Sequence, residues 1–292
     1  MIEVIVANRQ VEAEGICSFE LARHDGMPLP AFNAGAHIDV HLGNGLVRQY
    51  SLCNSASETH RYQIAVLNEP ASRGGSQYLH EAVQEGQRLS ISEPRNLFAL
   101  NPAAHRTLLF AGGIGITPIL CMAERLSHAG AQFELYYSVR NHDRAAFSER
   151  LQASPFAQQV HLFFDDQQSL DAYAVLAAPA SGTHLYVCGP GGYMGFILDT
   201  ARAQGWPEER LHREYFSASP EANPSGSDCS CCEAVRCPPC LNKRLPYRTA
   251  LCSIKFLYLD TRGVSPWSCA NFSNSSCWPK RSTFAPPPNV CS

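Results

Sequence analysis

No stretch of this chain stays apolar long enough to cross a membrane. The longest apolar run, TLLFAGGIGITPILCMA, is broken by Gly112, Gly113, Gly115 and Pro118, and it reads as a strand, a turn and a helix start. Charge of one sign is also lacking. The net charge is −3, which leaves no footprint for nucleic acid or an anionic membrane. The opening MIEVIVANRQVEAEG carries Glu3 where a signal peptide wants basic residues, and no h-region follows. The expectation is a soluble, cytoplasmic protein. Cysteine is scarce through most of the chain. Only Cys17, Cys53, Cys121 and Cys188 precede residue 229, and the other nine of the 13 run from Cys229 onward. Without a secretory signal a disulfide framework is the weaker reading. The segment from residue 219 onward is therefore judged apart from the rest.

What remains is 292 residues, enough for two or three domains. The first hundred are β-rich. AHIDVHL alternates, with Ile38, Val40 and Leu42 on one face and His37, Asp39 and His41 on the other. ICSFELARH and RYQIAVLN also read as strands. One helix fits SQYLHEAVQEG, with Leu79, Ala82 and Val83 on one face and Gly86 as its stop. Short strands with Gly and Pro turns predict a small antiparallel split barrel over residues 1–102.

From His105 strands alternate with helices. TLLFAGG, FELYYSV, VHLFFDD and HLYVCGP are the strands. A helix from Pro118 to about His128, then RAAFSERLQA, LDAYAVLA and YMGFILDTARAQ, are the helices. This predicts a doubly wound α/β domain with a parallel sheet over residues 103–218.

Four motifs carry chemistry. RQYSLCN, residues 48–54, ends a strand. A flavin needs an aromatic wall, a polar group near N5 and cations at its phosphate, and Arg48, Tyr50 and Ser51 offer these. An ordinary edge strand explains the same residues taken alone. SRGGSQYLH, residues 72–80, follows with Gly74 and Gly75 for a tight nest of N–H groups and Ser76 to cap the next helix. FAGGIGITPIL delivers a glycine turn from a buried strand, with Thr117 and Pro118 opening a helix. It lacks a full GxGxxG, so a purely structural turn stays open. YVCGPGGYM places Cys188, Gly189 and Pro190 at the carboxyl end of a strand, where ligands bind such sheets. The bland alternative for Cys188 is a core cysteine.

In this order, and joined by HREYFSA, the motifs resemble the ferredoxin–NADP⁺ reductase superfamily. Within it they are similar to the phthalate dioxygenase reductase family, whose members carry FMN, a nicotinamide site and a C-terminal ferredoxin. The resemblance covers residues 1 to about 218. It implies that Arg48, Tyr50, Ser51 and Gly74–Ser76 hold FMN, and that the Gly113–Pro118 turn, with Gly115 and Thr117, holds the pyrophosphate side of the nicotinamide cofactor. It also implies that Cys188–Pro190 lie by the nicotinamide and that Phe216 covers the flavin ring. Ser51 and Cys188 then stand nearest the reacting atoms. The implied role is the reductase component of a two-component aromatic oxygenase or demethylase. Electrons would pass from NADH, with NADPH less favoured, through FMN and a [2Fe–2S] cluster to a Rieske-type terminal oxygenase.

The Cys-rich segment 219–292 departs from that pattern. Cys232, Cys237 and Cys240 have plant-type ferredoxin spacing, with Cys269 as a fourth ligand. Family members place glycines between these cysteines. This chain has Ala234, Val235, Arg236, Pro238 and Pro239, and the two prolines remove N–H donors. Three readings compete: a divergent ferredoxin, a zinc site, or a ferredoxin domain read in a shifted frame, which the composition favours. Two other functions stay open for the whole chain, a stand-alone NAD(P)H:flavin reductase or diaphorase and a zinc-binding interaction protein.

Overall fold

A computed structural model describes residues 1–70, 73–177 and 179–216. The first part is a seven-stranded antiparallel sheet. Its strands are β1 (Ile2–Ala13), β2 (Ile16–Arg23), β3 (Ala36–His41), β4 (Val47–Ser51), β5 (Tyr62–Leu67), β6 (Arg88–Ile91) and β7 (Arg95–Asn96), with helix α1 (Gly75–Glu81) between β5 and β6. The order is β4-β3-β6-β1-β2-β5, and β7 pairs with β3. The two ends of this path are drawn together just beyond β4. The Cys53 N–H donates to the Gln63 carbonyl at 2.9 Å, and the Gln63 N–H donates to the Asn54 side chain at 2.8 Å. Two register shifts in β1 bend the sheet.

The second part holds β8 (Arg106–Gly112), α2 (Ile116–His128), β9 (Gln132–Val139), α3 (Ser148–Gln152), β10 (Val160–Phe164), α4 (Ala172–Leu176), β11 (Thr183–Cys188), α5 (Gly191–Ala203) and β12 (Leu211–Glu214). All five strands are parallel, in the order β10-β9-β8-β11-β12. The chain winds outward from β8 to β10 and then returns to the other side of β8 at β11. The carboxyl ends of β8 and β11 are therefore the switch point at which such sheets bind ligands.

Two apolar clusters fix the arrangement. One runs through the antiparallel sheet into α2, α3 and one face of the parallel sheet; the other joins α4 and α5 to the opposite face. The first cluster spans both sheets, so burial of one continuous core holds them in place. α2 buries Ile116, Ile119, Leu120 and Ala123. It ends in a Schellman motif: Gly130 N–H bonds the Ser127 carbonyl and Ala131 N–H bonds the Leu126 carbonyl, with Gly130 at φ 63°.

Local departures from expectation have physical reasons. α2 starts at Ile116, two residues before the expected Pro118, because a 3₁₀ turn over Gly113–Gly115 leads directly into it. Pro118 still falls in the first turn, where a missing N–H loses nothing. α1 stops at Glu81 and leaves Ala82 exposed, although Leu79 and Val83 are buried as the pattern requires. The helix expected over RAAFSERLQA is reduced to Ser148–Gln152, because Phe147 adopts φ 60° with its ring buried.

Candidate functional site

The two sheets meet through two cross-strand pairs. On the antiparallel side His37 of β3 is the register partner of Ser51 of β4. On the parallel side Cys188 of β11 is the partner of Glu214 of β12. The Ser51 hydroxyl donates to Glu214 Oε2 at 3.1 Å, and His37 Nδ1 lies 3.8 Å from Glu214 Oε1. The Cys188 thiol reaches the Glu214 carbonyl at 3.5 Å. A carboxyl group, a hydroxyl, a thiol and an imidazole therefore converge beside the switch point.

Burial sets their protonation. It pushes the Glu214 carboxyl up to about 7, opposed by the Ser51 hydrogen bond. The Cys188 thiol is raised by burial first and by the Glu214 charge second, so it stays protonated near neutrality. The His37 ring is lowered by burial and then by Arg95, while Asp39 opposes this.

In the antiparallel sheet, Arg48 lies half-buried near the start of β4. Its guanidinium donates to the Val47 carbonyl at 2.8 Å and the Arg73 carbonyl at 3.4 Å. It ion-pairs with no carboxylate among the described residues. A Cβ on Gly75 would collide with the Arg48 side chain, so glycine there lets the arginine cross the turn. Gly74 is the N-cap of α1 at φ 82°, where an L side chain is strained. The sequence pattern makes Ser76 the cap of α1. It lies inside the helix instead, and its hydroxyl accepts from the Glu69 N–H at 3.2 Å. Burial pushes the half-buried Tyr50 phenol up to about 12, so it is neutral. Phe216 follows β12 and is 48% exposed.

At the switch point the glycines have separate duties. A Cβ on Gly115 would collide with the Cys188 carbonyl, so this glycine serves the packing of the two turns. Gly113, at φ 52°, has open space where its Cβ would be. Thr117 is buried and donates to the Ile114 carbonyl at 3.1 Å, and Pro118 is buried behind it. Both shape the turn. Gly189 and Pro190 carry the chain from β11 into α5, with Pro190 as the N-cap residue. Near the same sheet edge the buried Tyr193 hydroxyl lies against Ser138, and Asn141 Oδ1 is buried without a hydrogen-bond partner among the described residues.

Sequence reasoning missed Glu214, His37 and this polar trio. Glu214 lies within HREYF, two residues before Phe216, and a carboxylate at a strand end is only a weak signal. Cys232, Cys237, Cys240 and Cys269 lie outside the described residues. Among the described residues no group of three or more His, Cys, Asp or Glu could hold a metal ion, and no helix is long and apolar enough to cross a membrane.

An antiparallel sheet joined to a nucleotide-type parallel sheet, with Ser51, Cys188 and Glu214 at the junction, defines a flavin- and pyridine-nucleotide-binding reductase. A family profile described as dimethylamine monooxygenase subunit DmmA-like, N-terminal domain, matches residues 91–211. A vanillate O-demethylase oxidoreductase of Pseudomonas putida is 60% identical over 222 residues, 75% of this chain and 70% of that protein. One from Acinetobacter baylyi is 48% identical over 219 residues, 74% of this chain and 69% of that protein. Among solved structures, a phthalate dioxygenase reductase described as a modular structure for electron transfer from pyridine nucleotides to [2Fe–2S] matches with TM-score 0.70 and 37% identity, covering 73% of this chain and 67% of that one. The chain belongs to the phthalate dioxygenase reductase family of oxygenase reductases.

Proposed function

We propose that residues 1–216 are the hydride-accepting part of the reductase component of a vanillate O-demethylase system, using NADH and FMN and serving a Rieske-type oxygenase partner. The observation that carries this is the Ser51–Glu214 contact of 3.1 Å between the two sheets at the switch point. It sets a hydroxyl and a carboxyl of near-neutral pKa where a flavin from one sheet and a nicotinamide from the other would meet.

FMN, when bound, accepts two electrons as hydride and releases them one at a time. The chain's residues do the positioning. Arg48, tethered by two carbonyls and opposed by no carboxylate, suits a terminal phosphate, and the Gly74–Gly75 turn lets it approach. That combination favours FMN over FAD. Ser51 presents its hydroxyl with an orientation fixed by Glu214. Glu214, poised near 7, can hold or release a proton beside that hydroxyl. Burial and the neighbouring Glu214 charge keep the proton on Cys188, so it packs against the reacting region as a thiol and forms no covalent bond. Hydride transfer requires reacting atoms within about 3–3.5 Å, and a shared core supplies that rigidity.

NADH is favoured over NADPH. Arg140, His142 and Arg144 follow β9, where a 2′-phosphate would lie. Arg144 is already engaged by Glu14 at 3.1 Å, and Asp143 adds opposing charge.

The test is direct. The flavin released from purified full-length chain is identified by chromatography, and kcat/KM for ferricyanide reduction is measured with NADH and NADPH. FMN and a preference for NADH are expected. Release of FAD, or a preference for NADPH, rejects the corresponding assignment, and a chain that binds no flavin rejects the function. Coupling to a vanillate-demethylating oxygenase identifies the partner.

A further inference from the structure

We propose that His37 is a positioning residue for Glu214: its Nδ1 edge holds the Glu214 carboxyl against the Ser51 hydroxyl and supplies the second hydrogen bond of the ionised carboxylate. This rests on the reading of Ser51 and Glu214 as the pair that faces the cofactors.

The alternation of β3 puts His37, Asp39 and His41 on the polar face. His41 is exposed and Asp39 is held by Arg95 at 2.7 Å, yet His37 is only 6% exposed. The end of β12 covers it. Its Nε2 is buried with no hydrogen-bond partner among the described residues, a costly state for a ring with only a packing role. An apolar side chain would fill that space without an orphaned nitrogen. The other nitrogen faces Glu214 Oε1 at 3.8 Å, a small rotation from hydrogen-bond distance.

The groups around the ring decide its charge. Ser51 of β4 and Arg95 of β7 are its two cross-strand partners, Asp39 follows on its own strand, and Glu214 faces it from the parallel sheet. Burial and Arg95 disfavour a cationic ring, so His37 is neutral and can donate through one nitrogen. With that proton on Nδ1, each oxygen of an ionised Glu214 has its own donor: Ser51 at Oε2 and His37 at Oε1. Without His37 the buried carboxylate keeps one donor and ionises less readily.

Three substitutions separate this from plain packing. His37→Asn leaves an N–H close to the Nδ1 position, His37→Gln reaches only the Nε2 position, and His37→Leu fills space alone. Glu214 is followed through its side-chain carboxyl resonance in full-length chain labelled with 13C-glutamate, assigned with Glu214→Gln and recorded without flavin. The pH profile of flavin reduction is measured in parallel. The Leu and Gln variants are expected to raise the Glu214 midpoint by about one pH unit, and the Asn variant is expected to restore it. An unchanged midpoint in both Leu and Gln, or an Asn variant displaced as far as Leu, overturns the proposal. If the Leu protein does not fold, the comparison of Asn with Gln decides alone. A wild-type chain that bound no flavin would reject the function proposed above and leave this titration readable, so the two failures are distinct.

Discussion

Replacing Glu214 with Gln should reverse part of the pH dependence of stability. The Glu214 carboxyl titrates at about 7 in the folded protein, against 4.5 for its ordinary value. The folded state therefore holds a proton that the unfolded chain has lost. The stabilising share of this group is complete below its unfolded pKa and declines as pH rises toward its folded pKa. Integrating the two titrations between pH 5 and pH 8 gives a loss of about 2.5 kcal/mol. Gln keeps a carbonyl oxygen for the Ser51 hydroxyl but cannot ionise, so the variant escapes that loss. Other titrating groups are common to both proteins and largely cancel in the difference. Urea unfolding of wild type and Glu214→Gln at pH 5 and pH 8, with linear extrapolation, measures it. Relative to wild type, the variant should gain about 2–3 kcal/mol on going from pH 5 to pH 8. A difference that stays flat within about 1 kcal/mol would refute a buried, proton-holding Glu214, because only a displaced pKa couples this residue to pH.

Further outcomes follow from other contacts. Arg48→Ala should weaken FMN retention by about 1.5–3 kcal/mol, the worth of a charge-assisted phosphate contact, as read by flavin dissociation in equilibrium dialysis; unchanged retention removes Arg48 from the site. Cys188→Ala should slow flavin reduction in stopped flow while FMN stays bound, and a trapped covalent adduct on Cys188 would contradict its protonated state. Gly115→Ala forces a Cβ into the Cys188 carbonyl. It should lower stability by about 1–3 kcal/mol in urea and disturb nicotinamide binding more than flavin binding.

The strands and their order of use were legible because their signals are local. AHIDVHL alternates with period two, and TLLFAGG through HLYVCGP alternate with helices. Ser51 and Cys188 drew attention because each sits at a strand end within a distinctive motif, whereas Phe216 came from the family resemblance alone. Glu214 and His37 drew none, because their significance is tertiary. His37 lies on the polar side of its strand, yet it is buried and faces Glu214 at the end of β12, far along the chain. Glu214 gains its raised pKa from its own burial. Nor did sequence reveal that Phe147 would take a left-handed backbone conformation and shorten α3. Its ring is buried, and tertiary packing overrides local propensity there.

The last prediction concerns the Cys-rich segment. The chain should reduce ferricyanide with NADH while passing electrons poorly to a Rieske-type oxygenase. The residues argued to hold flavin and nicotinamide all fall before Ser217, so flavin reduction needs nothing that follows. A [2Fe–2S] centre needs four thiolates, and its potential depends on hydrogen bonds to the sulfurs. Between Cys232 and Cys240 the family's glycines are absent, and Pro238 and Pro239 cannot donate at all. The spacing of Cys232, Cys237, Cys240 and Cys269 matches a plant-type cluster, whereas the residues between the cysteines do not. Reconstitution with iron and sulfide, followed by EPR of the reduced protein, distinguishes spacing from competence. Little cluster signal is expected, together with ferricyanide turnover that is insensitive to Cys237→Ser. A rhombic [2Fe–2S] signal near one spin per chain, abolished by Cys237→Ser and accompanied by efficient oxygenase coupling, would show that the divergent loop holds a working cluster.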